Sequence, residues 1–244
     1  RMVAVAAGAV DHEAFVREVE LRLGGFRATA EGQAPQFASY VGGDFREDRD
    51  LMDAQIVLGF EGRDYHMRDF YASQVLSMIL GGGMSSRLFQ EVREKRGLCY
   101  SIYAFSSNFQ DGGFTGIYVG TSERDAGEVS AVVAGEMEAM TANIGDAELA
   151  RAKAQLKSGL LMGLERPGTR SEAIAGQIFS LGRVPSVSEI VEKIEAVDGK
   201  DVKRHAARVM RAPSMAALGP IGRLESHAKF SGRFDRLDAM HAAE

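Results

Sequence analysis

Arg93 and Tyr100 lie on either side of Gly97, and both side chains carry hydrogen-bond donors. A guanidinium donates hydrogen bonds to peptide carbonyls, and a phenol donates to the oxyanion that develops on a carbonyl under attack. Both residues also suit ordinary roles, because surface arginines are commonly solvated and strand tyrosines pack with their hydroxyls at an edge. The residue types alone therefore leave a binding role and a structural role open.

Residues 81–103 contain the elements that must position this pair. Three consecutive glycines end one helical pattern, and the serines that follow can cap the next helix. Gly97 stops that second helix, and the alternation after it predicts a strand. This turn would hold an arginine and a tyrosine side by side. The glycines lack the GxxxxGK[ST] pattern, so the sequence does not predict a phosphate-binding loop.

The same stretch resembles the second half of the M16 metallopeptidases, the family of mitochondrial processing peptidase and pitrilysin. In that half an arginine precedes a tyrosine by seven residues, as Arg93 precedes Tyr100 here. The continuation from Ser106 to Ser122, SSNFQDGGFTGIYVGTS, is also similar, and the resemblance covers nearly all of the chain. It implies that Arg93 and Tyr100 bind substrate, and that Tyr100 stabilises the oxyanion in trans.

The HxxEH zinc motif of active M16 enzymes does not occur in this sequence. In that motif two histidines bind Zn²⁺ and the glutamate activates water. The resemblance places the equivalent helix at residues 66–80, with Gln74, Ser77 and Met78 at the ligand and base positions. It therefore implies no cofactor in this chain and zinc in a complementary half. The histidines are expected at surface or capping positions: His12, His66, His205, His227 and His241.

Composition limits the other classes of function. The formal net charge of −5 argues against nucleic acid and acidic membranes as partners. No apolar run approaches the roughly 20 residues that a membrane span needs. The single cysteine, Cys99, excludes an internal disulfide and fits a reducing compartment, so we expect a cytoplasmic protein. With no histidine nearby in sequence, Cys99 is predicted to be a buried hydrophobic residue rather than a nucleophile.

Interleaved strand and helix patterns predict an α+β fold, a mostly antiparallel sheet with helices packed on one face. The resemblance implies the LuxS/MPP-like metallohydrolase fold. Residues 1–25 are interpreted as the C-terminal tail of a preceding homologous half, residues 26–36 as a linker, and residues 37–244 as the M16 C-terminal domain. The predicted strands are at 2–10, 37–40, 52–60, 98–102, 114–120 and 214–219. The predicted helices begin at Asp11, Asp64, Ser86, Ser122 and Asp146, and four shorter ones follow at about 170–181, 187–196, 199–210 and 223–230.

Two hypotheses about function remain open at this point. In the first, the chain is the substrate-binding half of a zinc peptidase. It completes the active site of an N-terminal, HxxEH-bearing half or subunit, acts on a peptide substrate and is inactive alone. In the second, it is a non-catalytic structural or binding subunit, like the family members that serve as scaffolds in respiratory complexes. The Arg93 and Tyr100 pair favours the first hypothesis, and homodimerisation of an isolated half is compatible with both.

Overall fold

The computed structural model describes residues 2–27 and 37–235, and its centre is a five-stranded sheet. The strands are β1 (Asp44–Asp48), β2 (Ala54–Glu61), β3 (Ser101–Asn108), β4 (Gly113–Thr121) and β5 (Ser214–Gly219). Their order across the sheet is β1-β5-β2-β4-β3. Only β1 and β5 pair in parallel, and the other neighbours are antiparallel. The predicted α+β fold with a mostly antiparallel sheet is therefore confirmed.

The described ranges also contain eight α-helices and one π-helix. They are α1 (His12–Leu23), α2 (Phe70–Gly81), the π-helix (Phe89–Glu94), α3 (Ala126–Ala142), α4 (Asp146–Leu164), α5 (Pro167–Leu181), α6 (Val187–Ala196), α7 (Gly199–Val209) and α8 (His227–Ser231). The core lies between one face of the sheet and helices that include α2, α3 and α7. Alternate residues of β2 point into this core and are fully buried, namely Ala54, Ile56, Leu58 and Phe60.

The opposite face of the sheet is more open. Tyr103 on β3 is 46% exposed, and its ring stacks on Tyr118 with the centroids 5.0 Å apart. Phe45 on β1 is also exposed. This contrast between two faces is the usual pattern of an antiparallel sheet that packs helices on one side.

Close packing between α2 and β3 fixes where the central stretch begins. A Cβ added at Gly81 would lie only 2.2 Å from the backbone nitrogen of Ala104. Only glycine allows this approach of backbone to backbone. The first glycine of the triple is therefore a contact with the sheet as well as a helix end.

Two predicted strands are wrong. Residues 2–10 form no strand, and Val3 and Val5 are only half-buried, because no neighbouring strand in the described ranges pairs with this segment. Residues 37–40 are also irregular, and the edge strand is Asp44–Asp48 instead. Its sequence, DFRED, is mostly polar and lacks the apolar alternation that predicts a strand.

Several predicted helix starts are displaced for local reasons. The Asp64 carboxylate accepts hydrogen bonds from the backbone of His66 and Met67, which forms a turn, so α2 begins only at Phe70. Helix α3 begins after Asp125 rather than at Ser122. Helix α8 begins at His227, later than predicted. The predicted helices at residues 187–196 and 199–210 are confirmed as α6 and α7.

Candidate functional site

A short π-helix that contains Arg93 is joined to Tyr100 by a glycine turn. The Lys95 N–H donates to the Gln90 carbonyl at 2.9 Å, a bond across five residues, where an α-helix would use four. Gly97 has a φ of 64°, and it ends the helix as the sequence predicts. The Leu98 N–H then donates to the carbonyl of Val92, a fully buried residue, at 2.9 Å. The turn is thus attached to the core on its inner side.

Arg93 lies on the outer side of this turn and is exposed. Its guanidinium carbon is 4.7 Å from the centroid of the Phe89 ring, one helical turn earlier. At an exposed position such a cation–π contact contributes about 0.5–1 kcal/mol, so it orients the side chain without using its donors. Within the described residues, no hydrogen bond joins Arg93 to Tyr100. Both groups therefore keep donors available for a ligand.

Tyr100 has a fixed backbone and an open side chain. Its N–H donates to the Gly120 carbonyl at 3.0 Å, just before β3 begins, while the residue is 74% exposed. The ring lines a cleft of about 420 Å³ together with Arg124 and Asp125. A tyrosine in this position presents its hydroxyl to solvent, where it can donate to a carbonyl oxygen.

Arg124 is the residue at this cleft that the sequence did not single out. Its Nε donates to Asp125 Oδ1 at 3.0 Å, and Ser122 Oγ donates to Asp125 Oδ2 at 2.7 Å. The Arg124 guanidinium and the Ser122 hydroxyl hold the pKa of the Asp125 carboxyl below its usual range. The only signal in the sequence was its position inside the Ser122-x-x-Asp125 capping pattern.

Cys99 precedes Tyr100 and is buried, as predicted. Burial raises the pKa of its thiol to about 11, and the nearby Arg93 guanidinium opposes this rise only in part. The thiolate is the nucleophilic form of cysteine. Cys99 is therefore protonated at neutral pH and unsuited to nucleophilic catalysis.

Arg87 anchors the loop between α2 and the π-helix. Its Nη2 and Nε donate to the two carboxylate oxygens of Glu148 at 2.5 and 3.0 Å, and Nη2 also donates to the Asn143 carbonyl at 2.7 Å. Burial raises the pKa of Glu148, but hydrogen bonds from Arg87 and from the Gly145 N–H lower it below its usual range. A bidentate pair of this kind fixes geometry, so Arg87 has a structural role.

The residues at the positions that would correspond to the zinc helix face β3, and two of them already form hydrogen bonds with it. Gln74 Nε2 donates to Asn108 Oδ1 at 3.0 Å, and the hydroxyls of Ser77 and Ser106 are 2.7 Å apart. Met78 is half-buried at the third position. Amide, hydroxyl and thioether groups do not make the N, S and carboxylate ligand set that Zn²⁺ takes in proteins. These residues therefore do not fit the metal.

Elsewhere in the described ranges, no group of three His, Cys, Asp or Glu side chains is placed to hold a metal ion. His12 and His66 are exposed, as expected, and His227 begins α8, where its Nε2 lies 2.7 Å from the Pro213 carbonyl oxygen. His241 lies outside the described residues.

His205 contradicts the expectation of a surface or capping histidine, because only 1% of it is exposed. Its Nδ1 is 3.2 Å from Asp69 Oδ2, which also accepts a hydrogen bond from Arg63 Nε at 2.8 Å. Burial lowers the pKa of His205, since it disfavours the charged imidazolium. This network holds α2 against α7 and is a feature of the core.

This chain is similar to one family model and to several known proteins. Residues 1–156 match the family model of the "Peptidase M16 inactive domain". The chain is 36% identical over 218 residues to an "Uncharacterized zinc protease" of Rickettsia bellii, covering 88% of this chain and 52% of that protein. It is 32% identical to a "Probable mitochondrial-processing peptidase subunit beta, mitochondrial" of Arabidopsis thaliana, covering 96% and 47%.

A solved structure is also similar to this chain. A chain of "Complex III2 from Candida albicans, Inz-5 bound" superposes with a TM-score of 0.81 at 25% identity, covering 92% of this chain and 56% of that one. The chain spans about half the length of the curated relatives it matches. In the ranges that the structure describes, no helix is long and apolar enough to cross a membrane.

Proposed function

This chain belongs to the M16 peptidase family, and from that premise we propose that it is the C-terminal, substrate-binding half of an M16-type zinc peptidase. The observation that carries the proposal is the exposed Arg93 and Tyr100 pair on either side of the Gly97 turn. The metal would lie in a complementary half that bears HxxEH, because Gln74, Ser77 and Met78 do not fit zinc. The proposed partners are that half or subunit and a peptide substrate.

The two side chains would act on the peptide in different ways. The exposed Arg93 guanidinium would bind backbone carbonyls of the substrate, since its donors are not used by Phe89. The Tyr100 hydroxyl would donate to the carbonyl oxygen of the bond that breaks, where negative charge develops. Because the backbone of Tyr100 is held by Gly120, the hydroxyl approaches from a fixed side. Such preorganised donors act most strongly in the transition state.

The test joins this chain to a half that carries HxxEH and measures peptide hydrolysis. Tyr100→Phe removes one hydroxyl from an exposed ring, so the fold should be retained. We expect kcat to fall about 10²–10³-fold, equivalent to about 2.7–4 kcal/mol, with a smaller change in KM. Arg93→Ala should raise KM, because a group that holds carbonyls contributes in the ground and transition states alike.

Arg96→Ala is the matched control for Arg93→Ala. Arg96 lies three residues on, and its exposed side chain pairs only loosely with Glu128, at 3.6 Å. We expect kcat and KM to stay close to those of the unmodified protein, and none of the three variants should change the zinc content. Hydrolysis at the unmodified rate by Tyr100→Phe, or a larger loss in Arg96→Ala than in Arg93→Ala, would show that the pair is wrongly assigned.

The resemblance to a chain of complex III2 keeps a second candidate open, a non-catalytic scaffold subunit. The same experiment separates the two candidates. A scaffold subunit would associate with its partner equally well in all three variants, and the joined protein would show no peptide hydrolysis that depends on Tyr100. Dimerisation of the isolated chain, measured by analytical ultracentrifugation, is compatible with either role.

A further inference from the structure

A second cleft, of about 810 Å³, lies between α2, α6 and α7, on a different part of the molecule from Arg93 and Tyr100. Its volume is in the range of small-molecule sites, about 300–1,000 Å³. Aromatic and cationic side chains line it side by side. We propose that this cleft binds a small phosphorylated ligand that carries a flat ring, a nucleotide being the simplest example.

The charges behind one wall of the cleft are not balanced. Asp69 lines the cleft and is shared by two guanidiniums: Arg63 Nε lies 2.8 Å and Arg208 Nη1 3.6 Å from the same carboxylate oxygen. Arg63 is 3% exposed, and its Nη2 has no hydrogen-bond partner. One carboxylate therefore faces two permanent positive charges, and the Arg208 side chain, 65% exposed, remains open to the cleft.

Further positive charge lies around the cleft. Lys193 lines the cleft, and it shares Glu189 with Arg183, at 2.8 and 2.5 Å. Arg68 also lines the cleft, is exposed, and has no ion-pair partner among the described residues. Four cationic and two acidic side chains line the cleft, so positive charge prevails there in a chain whose formal net charge is −5. An anion with several oxygens can meet the Arg68 and Arg208 guanidiniums and the Lys193 ammonium, and arginine is the residue best suited to recognise such an anion.

Three aromatic side chains offer a stacking surface for the ring of the proposed ligand. Tyr65 and Phe70 have centroids 5.5 Å apart, and Phe70 and Tyr71 meet edge to face at 5.0 Å. All three are half-buried, so each keeps some ring surface open. Lys193 Nζ lies 5.8 Å from the centroid of the Tyr71 ring, which places a cation beside an aromatic surface. A planar base stacks on such surfaces while its phosphates reach the guanidiniums.

Isothermal titration calorimetry on the chain as it stands tests the proposal, with ADP, adenosine and pyrophosphate as probes. We expect saturable binding of one ADP per chain, tighter than either fragment and weakened by salt. The double variant Arg68→Gln/Arg208→Gln should lower the affinity for ADP by about tenfold or more. Arg166→Gln, which removes an exposed arginine just before α5, is the matched control and should bind ADP unchanged.

The variant Tyr71→Leu distinguishes the binding of a nucleotide from the binding of phosphate groups alone. It should weaken ADP binding and leave pyrophosphate binding unchanged, because ADP carries a ring and pyrophosphate does not. If the double variant loses helical circular dichroism, Arg68→Gln alone repeats the test, since its guanidinium has no partner to lose. The proposal is overturned if ADP does not saturate the chain, if Arg68→Gln and the double variant bind ADP like the unmodified protein, or if ADP binds no more tightly than pyrophosphate.

Discussion

Removing the Asp69 carboxylate should destabilise the fold more than removing any exposed ion pair. Asp69→Asn leaves Arg63, 3% exposed, and His205, 1% exposed, without their shared anion. Breaking a buried pair from one side typically costs about 3–5 kcal/mol. Asp69 itself is 19% exposed at its side chain, and asparagine can still accept one hydrogen bond, so we expect the lower end, about 3 kcal/mol.

Urea unfolding followed by circular dichroism measures this change. With a slope of about 2–3 kcal/mol per molar urea, the midpoint should fall by roughly 1–1.5 M. Glu18→Gln is the control, because the Glu18 side chain is 57% exposed and that of its partner, Arg22, is 76% exposed. Exposed pairs of this kind contribute about 0.2–1 kcal/mol. If Asp69→Asn shifts the midpoint no further than Glu18→Gln does, the network does not stabilise the fold as argued.

The same network predicts how stability depends on pH. Burial lowers the pKa of His205 below its usual value of 6.5. As the pH falls below about 6.5, the His205 imidazole therefore binds a proton in the unfolded chain before it does so in the folded chain, and the stability of the fold decreases. The pKa of Asp69 is also lowered, from 3.8, chiefly by the hydrogen bond with His205 and further by Arg63. Its stabilisation is present above a pH of 3.8 and is lost progressively as the pH falls below that value.

The two groups therefore act in separate pH windows. His205→Asn should remove the loss of stability near pH 6 and reduce, without abolishing, the loss at strongly acidic pH, because Arg63 still lowers the pKa of Asp69. Urea midpoints between pH 7.5 and pH 5 test the upper window, and an unmodified protein with a constant midpoint over that range would contradict the assignment.

Three further predictions concern Gly81, Cys99 and the zinc content of the chain. Gly81→Ala should destabilise the chain by more than about 1–3 kcal/mol, because the new Cβ meets the Ala104 backbone at 2.2 Å. Gly135→Ala, in α3 with no atom within 4 Å of the new Cβ, should be neutral or stabilising in the same urea assay. Cys99, with its pKa raised to about 11, should react with a thiol reagent at pH 8 only after unfolding, and fast stoichiometric labelling would disprove this. Chelator-free protein should contain far less than one zinc per chain, and elemental analysis that finds one tightly held zinc would refute it.

The elements that sequence predicts well are those specified by nearby residues. The Gly112–Gly113 pair predicts the hairpin between β3 and β4, where the Phe109 N–H donates to the Gly112 carbonyl at 2.9 Å. Helix α6 begins where Ser186 Oγ accepts the Glu189 N–H, a cap that lies three residues from its donor. Because these signals involve neighbouring residues, they do not depend on the rest of the fold.

The features that sequence missed depend on distant partners. Asp69 and His205 are 136 residues apart, so no local pattern shows that a buried histidine meets a carboxylate. Strand β1 is polar and forms because β5 supplies the hydrogen-bonding edge, from Asp44 opposite Met215 to Asp48 opposite Gly219. At the candidate site, Arg124 adjoins Tyr100 only because β4 returns beside the strand that Tyr100 precedes. The His205 contact, strand β1 and the position of Arg124 thus all depend on burial or on pairing across the sheet, which bring together residues that are distant in the sequence.

The site and the core respond differently to substitution because they use opposite sides of the same turn. Val92 and Leu98 hold the inner side by a backbone hydrogen bond and by burial, while Arg93 and Tyr100 are both exposed to solvent. Removing the Tyr100 hydroxyl leaves every contact of the inner side in place, so a loss of activity in Tyr100→Phe would report on chemistry. A change at Val92 would move the turn itself, and with it both candidate side chains. This separation is what allows the proposed function to be tested without unfolding the chain.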